Sequence, residues 1–270
     1  MRQERARKLG PATFLLDRVA DDMVERLGAV TRTFERAADV GTPLDAVRRA
    51  LAGRVAGFAD SPADEEALPF APGSLDLVVS ALALQFVNDL PGALIQIRRA
   101  LKPDGLFLAA LIGGESLTEL RQAFAAAESE IEGGASPRVA PFADLRDLGA
   151  LLQRAGFALP VTDIDRVTVR YATPLELMHD LRRMGATNAL AERRRVPLRR
   201  ATLRRMMEIY ATRFAGVDGR IAATFEIVWL SGWAPHESQQ QPLSPGSAKA
   251  RRADALRATE ISVGEKPGRG

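Results

Sequence analysis

No cysteine occurs in the 270 residues, and there are only two histidines. The missing thiols exclude disulfides, thiolate metal sites and a cysteine nucleophile. His179 and His236 lie in different segments, with Asp180 and Glu237 beside them. A non-haem iron site wants two histidines and a carboxylate, and this pair lacks the short His-x-carboxylate spacing. They read as a surface helix residue and a turn residue, and no metal is expected. The longest apolar run, Leu75–Val87, contains Asp76 and is too short to span a bilayer. No apolar run follows Met1, so secretion is not expected and the cytoplasm is the expected compartment. The arginine-rich start (Arg2, Arg5, Arg7) carries Glu4 and lacks the serines of an organelle-targeting peptide.

Neither sign of charge dominates, with 37 Lys and Arg against 34 Asp and Glu. The net charge is +3 and the pI about 9.7, which says little about partners. Arg193, Arg194, Arg195, Arg199, Arg200, Arg204 and Arg205 form a basic cluster without interleaved aromatics or a helix-turn-helix pattern. The cluster reads as a solvated helix face or a dock for an acidic protein, not as a nucleic-acid interface.

What is present is organised around Ser74–Gly114. Leu75–Ala81 is a mostly apolar run with adjacent valines, as in a strand buried on both faces. Asn88-Asp89 is a cap signal, with Pro91 in a first turn. Leu90, Ala93, Leu94, Ile97 and Leu101 make one apolar helix face. Pro103-Asp104-Gly105 is expected to stop that helix, and Leu106–Ile112 to form a second buried strand. Two buried strands joined through a helix imply a parallel crossover and an α/β sheet.

Around this unit, Leu16–Leu27 keeps helical spacing up to Gly28, giving a helical lead-in over residues 1–30. Phe34–Val40 is the first strand, followed by Gly41-Thr42-Pro43 and a short helix carrying Leu44, Val47 and Leu51. Val55–Ala59 is a strand and Ala63–Phe70 an acidic loop. Residues 53 to 62 have room for one strand but not for a further strand–helix–strand passage, which needs roughly 25 to 30 residues. Ser116-Leu117-Thr118-Glu119 and Thr173-Pro174-Leu175-Glu176 read as capping boxes. Glu115 and Glu119 sit on one helix face, either favoured by the helix dipole or able to receive a partner's guanidinium. Helices ending at Gly133 and Gly156, a strand at Val167–Tyr171, a long helix through Phe214 and a strand at Ile221–Trp229 complete the domain. From Gln239 onward the composition predicts a mostly mobile tail.

Three segments carry a family resemblance: Ala38-Asp39-Val40-Gly41; Ala63–Phe70 (ADEEALPF); and Ser74–Val87 leading to Leu101–Gly105 (LKPDG). They resemble the class I S-adenosylmethionine-dependent methyltransferase fold, specifically the methyltransferase-11 group. Gly113–Phe157 and Ser231–Gln239 (SGWAPHESQ) are similar to the mitochondrial and α-proteobacterial complex I assembly factor family, which is associated with arginine hydroxylation. The resemblance implies a Rossmann-like methyltransferase sheet, here truncated between the first helix and the acidic loop. It implies a domain over residues 31–235 with a helical lid from 113–152 and 173–214, and a tail over 236–270. The implied cofactor is S-adenosylmethionine. Asp39 and Gly41 would lie under its methionine end, Asp64 and the Glu65 backbone at the adenine, and Ser80 beside the reacting centre. No catalytic base announces itself. The implied partner is a protein, a complex I subunit.

The residues themselves also allow simpler roles. Asp39 can cap the next helix, Asp64–Glu66 can be a solvated loop, and Ser80 a small core residue. Pro43 has no N–H for a carboxylate, and Thr42 puts a branched Cβ where a backbone should approach the ligand. The absent passage would have carried the strand whose terminal carboxylate holds the ribose, unless Asp60 substitutes. These departures predict weak or no binding of S-adenosylmethionine. Three functions follow as expectations: a methyltransferase-like protein acting on a protein partner in complex I assembly, a catalytically silent assembly chaperone, or an arginine hydroxylase.

Overall fold

A computed structural model describes residues 2–62, 64–191 and 193–239. The fold described below is the compact unit that ends at His236. The tail expected from 236 lies, beyond residue 239, outside the described residues.

The order of elements is α1 (Arg2–Leu9), α2 (Phe14–Gly28), β1 (Phe34–Asp39), α3 (Ala46–Ala50), β2 (Val55–Phe58), β3 (Leu75–Ala81), α4 (Leu90–Ala100), β4 (Leu101–Ile112), α5 (Thr118–Glu132), α6 (Leu145–Arg154), β5 (Ala158–Tyr171), α7 (Pro174–Arg183), α8 (Arg200–Phe214) and β6 (Ile221–Trp233). Short 3-10 turns at Pro43–Asp45 and Leu84–Phe86 follow β1 and β3. The six strands form one sheet in the order β2-β1-β3-β4-β6-β5. The first three pairings are parallel and the two involving β6 antiparallel. Beside β1 there is room for β2 alone, so the sheet stops one strand short on that side, as the chain length between residues 53 and 62 requires.

Alternation along the strands divides the core. Leu77 and Val79 of β3, Leu106 and Leu108 of β4, and Phe225 and Trp229 of β6 face a layer built from α2, α3, α5, α7 and α8. Val78, Phe107 and Val228 face the other layer, where α4 and α6 lie. Both sides of β3 and β4 are buried, which is why these strands read as continuous apolar runs and not as alternating ones. Each fully buried leucine, such as Leu94 of α4, contributes about 1.5 to 3 kcal/mol through removal from water. The lid expected from 113–152 is divided by this arrangement. Its α6 portion sits in the α4 layer, while α5, α7 and α8 share the opposite one.

Several local expectations are corrected. Helix α4 ends at Ala100, before Pro103, because a residue preceding proline is held extended and Leu101 already has ψ 135. Lys102–Gly105 therefore enters β4, with Asp104 at φ 63. Ser116-Leu117-Thr118-Glu119 is no capping box: Leu117 is the residue at the cap position, and its side chain caps nothing. Ser116 and Glu119 bond to β6 instead. Ser116 Oγ donates to the Glu226 carbonyl at 3.1 Å, and the Glu119 carboxylate accepts from Thr224 N at 3.1 Å and from Thr224 Oγ1 at 2.5 Å. That tertiary anchor also removes Glu119 as a receiver of a partner's arginine. The second box partly holds: Glu176 N donates to Thr173 Oγ1 at 3.2 Å, but the Glu176 carboxylate reaches Ala172 N. Strand β5 begins nine residues before Val167, its start disguised by Pro160 and two aspartates. Those aspartates, Asp163 and Asp165, pair with Arg26 and Arg18 of α2.

Candidate functional site

In a parallel α/β sheet, ligands meet the crevice at the carboxyl ends of the strands. Here β1, β3 and β4 end around Asp39, Ala81 and Ile112. A cavity of about 650 Å³ opens there. Leu82, Phe86 and Val87 after β3, with Ile112, form its floor, and Leu120 and Phe124 of α5 one wall. Segments 138–142 and 186–191, Met178 of α7, and Gln3, Ala6 and Arg7 of α1 close it over. The lining is mostly apolar; among the described residues, no carboxylate belongs to it.

The five expected cofactor residues lie near this edge but outside the cavity lining. Gly41 has φ 76, a left-handed conformation that glycine adopts without strain. A Cβ placed on it would lie 2.7 Å from Glu65 Oε1 and 3.0 Å from Ala83 Cβ, so Glu65 stands over the turn. The structure brings Gly41 and Glu65 together, with the Glu65 side chain filling the space over the glycine and not its backbone lying beside an adenine. Asp64 is exposed, and its Oδ1 accepts from Glu66 N at 2.9 Å, closing its own turn. Ser80 is fully buried and donates to the Val40 carbonyl at 2.6 Å, a bond between neighbouring strands. It does not face the cavity. Thr42 Oγ1 accepts from Ala81 N at 2.9 Å, tying the turn to β3.

Asp39 is the chemically unusual member. It is 3% exposed, and its Oδ1 lacks a hydrogen-bond partner among the described residues. Burial pushes its carboxyl up to about 6, although Thr42 and Arg48 pull the other way. At the end of β2, where a ribose carboxylate was sought, Asp60 is exposed. Arg48 occupies that end instead, donating to the Ala59 carbonyl at 2.6 Å and to Ser61 Oγ at 2.9 Å.

These residues do not fit S-adenosylmethionine. Glu65 covers the glycine and would oppose a methionine carboxylate with its own charge. Pro43 offers no N–H, and a cation sits where the ribose diol needs an acceptor. His179 and His236 remain in separate segments, and no group of three or more His, Asp or Glu among the described residues could hold a metal ion.

Sequence reasoning missed the residues that shape the site. Glu66 ties the acidic loop down: its carboxylate accepts from Asn88 N at 2.6 Å and from Asn88 Nδ2 at 3.0 Å, while Gln96 bonds the loop backbone twice. Glu128, fully buried on α5, accepts from Ser136 N at 2.6 Å and from Arg138 Nε at 2.6 Å, holding the cavity segment that starts at Arg138. Its signal was available: Glu128 stands four residues after Phe124, on the apolar face of the helix. The basic cluster is partly answered within the chain. Arg194 pairs with Glu132, and Arg205 with Glu130 at 2.5 Å.

Comparison with known proteins fits this fold. A family model described as "Methyltransferase domain" matches residues 28–109. The Danio rerio protein named "Arginine-hydroxylase NDUFAF5, mitochondrial" is 40% identical over 262 residues, covering 89% of this chain and 81% of the relative. Its Homo sapiens namesake is 47% identical over 186 residues, covering 69% of this chain but only 54% of the relative. The solved structure of Bacillus halodurans BH2331, described as a candidate methyltransferase, superposes with a TM-score of 0.54 at 16% identity. That likeness covers 80% of this chain and 99% of the other, and concerns the fold alone. The names of both relatives place them in mitochondria, which overturns the cytoplasmic expectation.

Proposed function

Because the chain belongs to the arginine-hydroxylase NDUFAF5 family, we propose that it is a methyltransferase-like assembly factor of respiratory complex I, receiving a segment of a protein subunit at the carboxyl edge of its sheet. The observation that supports this most is the cavity of about 650 Å³ with its apolar, carboxylate-free lining. Its size is that of a ligand pocket, while the chain's own Glu65 stands over the Gly41 turn and Arg48 bonds to the end of β2. The protein binds S-adenosylmethionine weakly or not at all. The test is twofold. Affinity purification from cells should recover a complex I subunit, and a cavity-filling Met178→Trp variant should lose it. Calorimetric titration should show no micromolar binding of S-adenosylmethionine. Recovery unaffected by Met178→Trp defeats the cavity reading, failure to recover any complex I subunit defeats the assembly reading, and micromolar cofactor binding defeats the statement of weak affinity.

A second reading, methyl transfer, has one observation in its favour. The buried, partly unsatisfied carboxylate of Asp39 at the end of β1 could receive an ammonium group such as that of a bound amino acid.

A further inference from the structure

Charge along the cavity lining has one sign. Arg7, Arg138, Arg182 and Arg183 belong to it, and among the described residues no Asp or Glu does. Two of the four are spent inside the chain. Arg183 donates to the Gly10 carbonyl at 2.6 Å and to Asp180 at 3.1 Å, and Arg138 donates to Glu128 at 2.6 Å. Arg7 and Arg182 are exposed, and among the described residues their guanidinium groups meet no carboxylate. Surface arginines elsewhere are answered: Arg18 by Asp165, Arg26 by Asp163, Arg170 by Asp218 and Arg205 by Glu130. Helices α1 and α7 bring the two unanswered cations to one cavity. They are joined there by the Arg183 bond to Gly10 and by Ala12 N, which donates to the Arg183 carbonyl at 3.4 Å.

The buried part of the lining is apolar. Leu15, Leu16, Leu117, Leu120, Phe124 and Phe225 are all withdrawn from water. The side-chain amides among them are largely committed within the chain. Gln85 donates to the Leu82 carbonyl at 2.8 Å, and Asn188 donates to the Pro137 carbonyl at 2.6 Å while accepting from Leu190 N at 3.0 Å. Such a surface offers few hydrogen bonds to an occupant, and a polar group buried there without a partner is costly. The occupant that suits it is apolar along most of its length and anionic at its exposed end, where an arginine guanidinium matches a carboxylate.

We propose that the cavity binds a free fatty carboxylate, with its acyl chain against the buried apolar lining and its head at the arginines Arg7 and Arg182, and that the partner segment enters by displacing it. The displacement rests on the reading that the cavity receives a protein segment; the binding does not. The acyl chain gains by leaving water, and the two exposed cations select its carboxylate over an uncharged head. An occupied cavity reduces the apparent affinity for the segment, because only the empty fraction can receive it.

The test titrates decanoate and decanol into the full chain by calorimetry, each within its solubility. Decanoate should bind about tenfold more tightly than decanol. The double variant Arg7→Ala, Arg182→Ala should erase that preference and leave decanol binding as it was, so decanol reports whether the cavity is intact. Met178→Trp should weaken both probes. Equal affinity for the two probes would overturn the binding site, as would a preference that survives the double variant, indifference of both probes to Met178→Trp, or no binding of decanoate. Decanoate added during affinity purification should lower recovery of the complex I subunit, and recovery unchanged at saturating decanoate would overturn the displacement. The two readings fail separately. If decanoate binds in this pattern while no subunit is recovered, the assembly reading falls and the carboxylate site stands; Met178-dependent recovery without decanoate binding does the reverse.

Discussion

Replacing Asp39 with asparagine should make the protein more stable at neutral pH. Asp39 is 3% exposed, and burial raises its carboxyl from 3.8 to about 6. A difference of about two units, at about 1.4 kcal/mol each, costs the fold about 3 kcal/mol once the group is ionised. Asparagine removes the charge but leaves an amide to satisfy where Oδ1 already lacks a partner, which returns about 1 kcal/mol. The net gain is about 2 kcal/mol, or about 4 to 8 °C in Tm for a domain of this size. The sign follows from proton counting. Between 3.8 and about 6 the native state holds the proton that the unfolded chain has lost, so this group makes stability fall as pH rises through that window. Below the window the penalty is absent. Urea unfolding of both proteins from pH 3.5 to 7.5 should give a stability difference that opens between pH 4 and 6 and is flat above. Parallel profiles, or an asparagine variant less stable at pH 7.5, would show that the Asp39 charge is compensated and refute the reasoning.

Glu128→Ala leaves Arg138 without its buried partner and frees Ser136, so it should cost about 3 kcal/mol and loosen the cavity wall, seen as faster hydrogen exchange over residues 135–140. Burial pushes the Glu128 carboxyl up, but hydrogen bonds from Ser136 and Arg138 outweigh it and hold the group below the ordinary glutamate range. Its stabilisation is therefore complete above the unfolded-chain value near 4.3 and lost as pH falls through the depressed one, and the alanine variant should lack that acid-side slope. Gly41→Ala should cost about 1 to 2 kcal/mol from its φ of 76 alone, with a further clash against Glu65. Combining it with Glu65→Ala should recover only the clash, as measured by a double-mutant cycle in thermal melts.

The strand–helix–strand centre was legible because both of its strands are buried on two faces and its helix on one. Burial of that kind writes itself into composition: Val78 and Val79 read as a strand from the sequence alone, and Ala93, Leu94 and Ile97 as a helix face. The shortage of chain between Gly53 and Ala63 likewise determined that β1 would have one neighbour on its outer side, since a strand that has no residues cannot form. The segments that resemble the methyltransferase-11 group carry the fold class as well. Tertiary structure alone decided the polar assignments. A carboxylate's role depends on which donor reaches it, and those donors lie far away in sequence: Thr224 for Glu119 and Asn88 for Glu66. Local spacing made Ser116 and Glu119 a cap and the family resemblance made Ser80 a site residue, but packing against β6 and β1 gave those oxygens other partners. Apolar pattern is a property of each segment, whereas a hydrogen-bond partner is a property of the assembled sheet.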